Sequence, residues 1–180
     1  MVRDFSLLGG VKKGFTIPEL LVVIAIISLF TAITLPNFRA GEQSLSLERS
    51  AYKLAQDVRR VEELAQRAQA FNCNTGSITG YGIVFDTSTP NTYTIFANCN
   101  SNNIYDSSDD DVDVIELEKN ITITDTSPGG PQVSIIFTPP IPAIKMHPSG
   151  SNEIQIILSP TGSAISRSVT ITNKGIIGIE

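Results

Sequence analysis

The feature that most constrains this chain is an uncharged apolar segment close to its N-terminus. Leu20 to Leu35 is sixteen residues without a charge, and from Phe15 to Phe38 the single charged side chain is Glu19. About 20 apolar residues are enough for a helix to cross the hydrocarbon core of a bilayer. The segment therefore predicts a membrane-spanning helix.

Basic residues in front of this segment predict its orientation. Lys12 and Lys13 precede it, and such residues tend to remain on the cytoplasmic side of the membrane. We expect residues 1–14 in the cytoplasm and the chain after Phe38 outside it, which is a single pass through the cytoplasmic (inner) membrane. A conventional secretory signal would need a small-residue cleavage site, and residues 31–34 offer none.

Glu19 is out of place in an apolar segment, because a carboxylate at mid-bilayer costs about 2.5–3.5 kcal/mol on insertion scales. Two interpretations are open from the residues alone. The side chain reaches the lipid headgroups, as other long polar side chains do, or it pairs with a cation. No cation lies nearby on the apolar face, so such a partner has to come from elsewhere.

The segment from Lys12 to Ile27, KKGFTIPELLVVIAII, resembles the type III signal of type IV pilins and type II secretion pseudopilins. The resemblance implies that a prepilin peptidase cuts between Gly14 and Phe15 and that the new Phe15 amine is N-methylated. It also implies that Glu19 meets the amine of a neighbouring subunit in a filament. The implied partners are other pilin or pseudopilin subunits, the assembly platform, the peptidase, and inner-membrane lipid before assembly.

A second pattern extends the helix beyond the membrane. Apolar residues recur at spacings of three and four, which is typical of an amphipathic helix; they are Leu47, Ala51, Leu54, Val58, Val61, Leu64 and Ala68. The pattern continues to about Phe71. We therefore divide the chain into a leader (1–14), a helix (15–72) and an extracytoplasmic head (73–180).

After residue 72 short β-branched segments alternate with Gly, Pro, Asn and Ser, which predicts strands. The eight predicted strands are Gly80–Phe85, Thr92–Ala97, Asp113–Leu117, Ile121–Thr124, Val133–Phe137, Ile154–Leu158, Val169–Thr172 and Ile176–Ile179. The expected fold class is α+β and pilin-like: a long N-terminal helix packed on an antiparallel β-sheet head of two sheets. The segments GYGIVF, NTYTIFANCNSNN and VTITNKGIIGI are similar to the H-type minor pseudopilin of type II secretion.

Cys73 and Cys99 are the two cysteines of the chain. In an exported protein an even number of cysteines favours a disulfide, and two separate thiols are the alternative. A zinc site is not expected, because His147 is the one histidine.

An acidic loop follows the second predicted strand. Oxygen-bearing side chains occupy relative positions 1, 3, 5, 9 and 12, as in a calcium-binding loop; they are Asn98, Asn100, Asn102, Asp106 and Asp109. Asn103 stands where that loop usually has glycine. Two interpretations remain open, a calcium site of low affinity and a solvated acidic loop. No other cofactor is expected.

Charge and motifs argue against two other classes of function. The leader holds Arg3, Lys12, Lys13 and Asp4, so its removal takes the chain from 13 basic and 18 acidic side chains to 10 and 17. An acidic mature chain is not expected to bind nucleic acid. No nucleophile, metalloprotease or phosphate-loop motif is present, so an enzyme is not expected.

Two functions from different classes remain. The first is a structural subunit, a minor pilin or pseudopilin of a type IV pilus or type II secretion filament that assembles through its N-terminal helix. The second is a singly anchored extracytoplasmic binding or adhesin module that never assembles. Gly14 and Glu19 discriminate between them, because a plain anchor needs neither residue.

Overall fold

The computed structural model describes residues 14–102, 104–139 and 143–180, and only the backbone of residues 35–40. The chain divides into two compact units, Met1–Gly41 and Glu42–Glu180. One helix, α1 (Ile17–Gln66), begins in the first unit and ends in the second. The second unit contains the last part of α1 and all nine strands of the described residues. From here on the name head refers to this whole unit, residues 42–180, and not only to residues 73–180.

The first sheet of the head has five antiparallel strands in the order β3-β2-β1-β5-β6. Their bounds are β1 (Gly80–Asp86), β2 (Thr92–Asn98), β3 (Asp110–Glu116), β5 (Gln132–Thr138) and β6 (Ala143–His147). Strand β1 lies at the centre and pairs with β2 and β5, for example Ile83 with Ile95 and with Ile135. All three of these isoleucines are fully buried, as expected for the central strands of a covered sheet.

The second sheet has four antiparallel strands in the order β4-β7-β8-β9. Their bounds are β4 (Ile121–Ser127), β7 (Glu153–Pro160), β8 (Arg167–Thr172) and β9 (Ile177–Ile179). Strand β7 alternates strictly, with Ile154, Ile156 and Leu158 fully buried between partly exposed neighbours. This period of two places one face of the sheet on the core and the other toward solvent.

The head portion of α1 packs its apolar stripe on both sheets. Of the seven predicted positions, five are buried in the common core, namely Leu47, Ala51, Leu54, Val58 and Val61. The same core contains Ile83 of the first sheet and Ile156 of the second. The α+β, pilin-like architecture with two antiparallel sheets is therefore confirmed.

The helix ends earlier than its apolar pattern suggests. It stops at Gln66 instead of near Phe71. The amide of Ala68 donates to the Ala65 carbonyl at 3.0 Å and the amide of Gln69 donates to the Leu64 carbonyl at 3.3 Å, while Ala68 takes a positive φ of 44°. These are the two bonds of a Schellman motif, which closes a helix through one left-handed residue.

One strand was not predicted. The sequence suggested eight strands and none at residues 143–147, but these residues form β6 and pair with β5. This prediction was wrong because β6 is a short edge strand held by one neighbour. Prolines flanking a segment do not exclude an edge strand, since its outer amides need no ladder partner.

Candidate functional site

The predicted processing site lies in non-helical chain just before the helix. Gly14, Phe15 and Thr16 precede Ile17, the first residue of α1, and all three are exposed. A side chain at Gly14 would meet no atom of residues 14–102, 104–139 or 143–180 within 4 Å, its chain neighbours aside. The bond between Gly14 and Phe15 is thus unobstructed by the described part of the chain. Lys12 and Lys13 lie outside the described residues.

Glu19 lies in the first turn of α1, where its carboxylate caps the helix. The Thr16 amide donates to Glu19 Oε2 at 3.5 Å, and the Leu20 amide donates to the Thr16 carbonyl at 3.1 Å. Thr16 and Glu19 thus form one of the two bonds of a capping box, the bond from the backbone amide of the first residue to the glutamate side chain. A carboxylate is also favoured at the positive end of the helix dipole. Pro18 removes no intrahelical bond here, because amides of the first turn have no helical acceptor.

The apolar side chains of residues 15–33 are not covered by any other part of the chain that the structure describes. Phe15 is 82% exposed, and even Val23, the least exposed of the large ones, is at 44%. The window Ile17–Thr34 has a mean hydropathy of 2.3 and none of it is buried, so it is long and apolar enough to cross a membrane. An apolar surface of this size marks a membrane or protein contact.

The few polar side chains in this window bond to their own helix. The hydroxyls of Ser28, Thr31 and Thr34 donate to the carbonyls four residues earlier at 2.8, 2.8 and 3.0 Å. Because water is absent from a bilayer core, internal bonds of this kind lower the cost of burying a hydroxyl there. Glu19 is then the one charged side chain of the window.

A comparison with protein families agrees with this geometry. The family model described as the prokaryotic N-terminal methylation motif matches residues 11–35. Residues 11–35 carry a prepilin motif. The prepilin motif contains Gly14, Phe15 and Glu19, and it supports a type IV pilin-like protein anchored through its apolar helix. It points to a structural subunit and not to an enzyme.

The rest of the chain is not assigned by similarity. No curated protein and no solved structure matches it significantly. The resemblance of the head to the H-type minor pseudopilin stays a prediction. The three sequence segments that suggested it lie in the β1–β2 hairpin with the following loop and in the β8–β9 hairpin.

A disulfide joins the end of the helix region to the end of β2. Cys73 and Cys99 are bonded, with their Cα atoms 5.9 Å apart. Beside them the Asn74 amide donates to Asp110 Oδ2 at 2.7 Å, and the Thr75 hydroxyl donates to the Ser108 carbonyl at 3.1 Å. The segment after α1 is thus fastened to the loop after β2.

That loop, residues 99–109, is built by successive turns of asparagine and aspartate side chains. Asn98 Oδ1 accepts from the Asn100 amide at 3.3 Å, Asn100 Oδ1 from the Asn102 amide at 3.1 Å, and Asn102 Oδ1 from the Ile104 amide at 3.2 Å. Side chains that bond the backbone two residues ahead stabilise tight turns. This bonding explains why asparagine occupies alternate positions.

Two of the predicted calcium ligands, Asn100 and Asn102, bond to the carboxylate of a third, Asp106. Its carboxylate accepts from the side-chain amides of Asn100 and Asn102 and from the Ser108 amide. The Ser108 amide is the main cause that holds the pKa of Asp106 below its ordinary value, with the two asparagine amides adding to it. Asp109 accepts from the Cys99 and Asp106 amides, while burial raises its pKa.

Two amide nitrogens therefore face the carboxylate where a calcium ion would need oxygens. The calcium site stays a prediction, which a calcium titration of the full chain would test, and Asn103 lies outside the described residues. Among the described residues, the one cluster of cysteine, histidine and acidic side chains close enough to share a metal is Cys73, Cys99 and Asp110. Its two sulfurs belong to the disulfide.

The sequence analysis missed two sets of contacts. One is the pairing of Thr16 with Glu19, for which the spacing T-x-x-E was an available signal. The other is a row of polar contacts from α1 to the edge strand β3 and its connection: Arg60 to Asp113 at 3.1 Å, Lys53 to the Glu116 carbonyl at 3.3 Å, and Arg49 to Glu118 at 3.4 Å. These contacts join residues more than fifty positions apart, so no local sequence pattern predicts them.

Proposed function

We propose that this chain is a minor pilin or pseudopilin, a structural subunit of a type IV pilus or type II secretion filament. The observation that carries the proposal is the prepilin motif at residues 11–35, together with an apolar helix that none of the described residues covers. The anchored module that never assembles is not favoured by any observation on the described residues.

Processing is the first step of the proposal. A prepilin peptidase removes residues 1–14 by cutting after Gly14, and Phe15 becomes an N-methylated amino terminus. Until assembly the helix spans the inner membrane once, with the head on the extracytoplasmic side. The disulfide between Cys73 and Cys99 is consistent with that side.

Assembly is the second step. On the assembly platform the helix leaves lipid and packs among the helices of other subunits. A carboxylate buried there without a partner costs several kcal/mol, and the Phe15 amine of a neighbouring subunit offsets this cost. Apolar packing alone specifies register poorly, because lipid tails are about as apolar as leucine. The charge pair therefore sets the axial position of each subunit.

The head completes the proposal. Its five-stranded and four-stranded sheets on an amphipathic helix suit a filament subunit that presents a globular surface. With the three sequence segments described above, this arrangement supports an H-type minor subunit.

Mass spectrometry of the mature N-terminus tests the proposal. We expect Phe15 as the first residue, carrying one methyl group. A Gly14→Val variant should remain uncut. Because an added side chain at Gly14 would meet no atom of the described residues within 4 Å, the loss would reflect recognition by the peptidase. A mature N-terminus near residues 30–40 in the original chain would show a conventional signal peptide and contradict the proposal.

A further inference from the structure

The connection between β3 and β4 contains the sequence Asn120-Ile121-Thr122. It is the one place in the chain where an asparagine is followed two residues later by serine or threonine without an intervening proline. This pattern is the acceptor signal for N-linked glycosylation and implies a surface position in an exported protein. The structure decides whether the asparagine is accessible.

Asn120 lies at the tip of a tight turn. The Ile121 amide donates to the Glu118 carbonyl at 2.9 Å, and Asn120 takes a positive φ of 67°, a conformation that asparagine tolerates better than most residues. The residue is exposed. Its backbone carbonyl accepts from the Thr161 amide at 2.8 Å, so the turn is fixed against the connection between β7 and β8.

The side chain of Asn120 is free to carry a substituent. Within the described ranges no hydrogen bond engages its carboxamide, whereas Asn98, Asn100 and Asn102 all bond through theirs. It borders an open cleft of about 500 Å³ whose lining includes Asn91, Glu118 and Thr161. A sugar attached to Nδ2 has room there without displacing any core residue.

We propose that Asn120 is an acceptor for N-linked glycosylation. The donor class is an oligosaccharide carried on a polyisoprenyl diphosphate, and the catalyst is a membrane oligosaccharyltransferase acting on the extracytoplasmic face. A bond forms between Asn120 Nδ2 and the anomeric carbon, and the bond from that carbon to the diphosphate oxygen breaks. The diphosphate leaves with the bonding electrons, and one Nδ2 proton passes to a base. The proposal rests on the proposed function in one respect, that the head is extracytoplasmic.

The fold also fixes when the transfer occurs. In the folded head Ile121 is 2% exposed and the Thr122 hydroxyl bonds the Ser159 carbonyl at 3.3 Å within β4 and β7. An enzyme that must bind the threonine hydroxyl and the asparagine at the same time cannot reach both of them in the folded head. Transfer therefore precedes folding of the head, while the chain emerges from the membrane, and the finished turn then displays the sugar.

The test is expression of the full chain in bacterial cells that contain a membrane oligosaccharyltransferase and its polyisoprenyl-diphosphate donor, followed by mass spectrometry of the peptide that contains Asn120. We expect one oligosaccharide on this peptide in the original chain and in Thr122→Ser, which keeps the hydroxyl. We expect none in Asn120→Gln, nor in Thr122→Val, which keeps the acceptor but removes the hydroxyl. The folded, oxidised full chain added to the same enzyme and donor should be a much poorer acceptor.

An unmodified peptide in the original chain, in cells that glycosylate a control acceptor sequence, would overturn the proposal. Modification that persists in Thr122→Val would overturn it as well. The same digest shows whether the Cys73–Cys99 disulfide has formed. If the disulfide is present and Asn120 is unmodified, the head was exported, and only the glycosylation proposal is contradicted. Free thiols together with a bare Asn120 would mean that the proposed topology fails too.

Discussion

The hydroxyl of Tyr93 donates a 2.6 Å hydrogen bond to the carboxylate of Asp57, which joins the buried strand β2 to helix α1 inside the head. Burial, with a smaller contribution from the adjacent carboxylate, raises the pKa of Tyr93 far above its ordinary value. The tyrosine therefore remains a neutral donor, and the half-buried Asp57 keeps a hydrogen-bond partner.

Removing that donor should destabilise the head. Because the bond goes to a charged group, Tyr93→Phe should lower the free energy of unfolding by about 1–3 kcal/mol. Urea unfolding of the full chain in detergent measures it. Tyr52→Phe is the matched control, since Tyr52 lies on α1, the helix of Asp57, and is 53% exposed. This variant should change the free energy of unfolding by no more than about 0.5 kcal/mol. Equal effects in the two variants would contradict the assigned role of the bond.

A substitution at the end of α1 should instead raise the free energy of unfolding. Ala68 closes α1 in a left-handed conformation that costs an L-residue roughly 1–2 kcal/mol and glycine almost nothing. Ala68→Gly should therefore raise the free energy of unfolding by up to about 1 kcal/mol, after glycine's larger chain entropy is subtracted. Ala70→Gly, two residues on and without a positive φ, should be neutral or destabilising. Loss of stability in Ala68→Gly would argue against the Schellman motif.

The acidic loop predicts a pH-dependent contribution from Asp106. Hydrogen bonds to its ionised carboxylate lower the pKa of Asp106 from its ordinary value of 3.8. The carboxylate therefore stabilises the folded head fully above pH 3.8, and this contribution is lost as the pH falls through the lowered pKa. Asp106→Asn should lower the melting temperature at pH 7, and the difference from the original chain should shrink below pH 3.8. Glu153→Gln, the same charge change on an exposed strand end, should show little difference at either pH. A difference for Asp106→Asn that does not change with pH would contradict this assignment.

Much of the architecture follows from local sequence patterns. The helix and eight strands are visible because periods of 3.6 and 2 persist in α1 and in strands such as β7. Strand β3 was expected to begin at Asp113 but begins at Asp110. Asp110 and Asp111 belong to a row of three aspartates that looks like a loop, yet an edge strand whose side chains other than Ile115 are at least partly exposed accepts them.

Residue spacing does not specify which partner a side chain or backbone group takes, and this limited the prediction at two places. Ala68 continues the apolar spacing of α1, but the chain turns there and Phe71 packs against the core from outside the helix. The alternate asparagines of the loop after β2 matched a calcium pattern, and their partners are the backbone amides of the same loop. Spacing alone does not distinguish these two uses of a side-chain oxygen. By contrast, Gly14 and Glu19 belong to a contiguous motif, so they were found without a structure.

The central claim is that the charge of Glu19 drives assembly. Glu19→Ala removes the charge and also the contact with the Thr16 amide, so by itself it confounds assembly with helix capping. Glu19→Gln is the sharper variant, because glutamine at this position of a capping box still accepts the bond while lacking the charge. Thr16→Ala is the control that alters the cap residue and keeps the carboxylate.

The most direct measurement is the fraction of each variant in sheared filaments, relative to the membrane pool, with the other filament subunits present. We predict that Glu19→Gln and Glu19→Ala are inserted and cut after Gly14 like the original chain but fall at least tenfold in the filament fraction, while Thr16→Ala assembles nearly normally. A Glu19→Gln protein that enters filaments as well as the original chain would contradict the account.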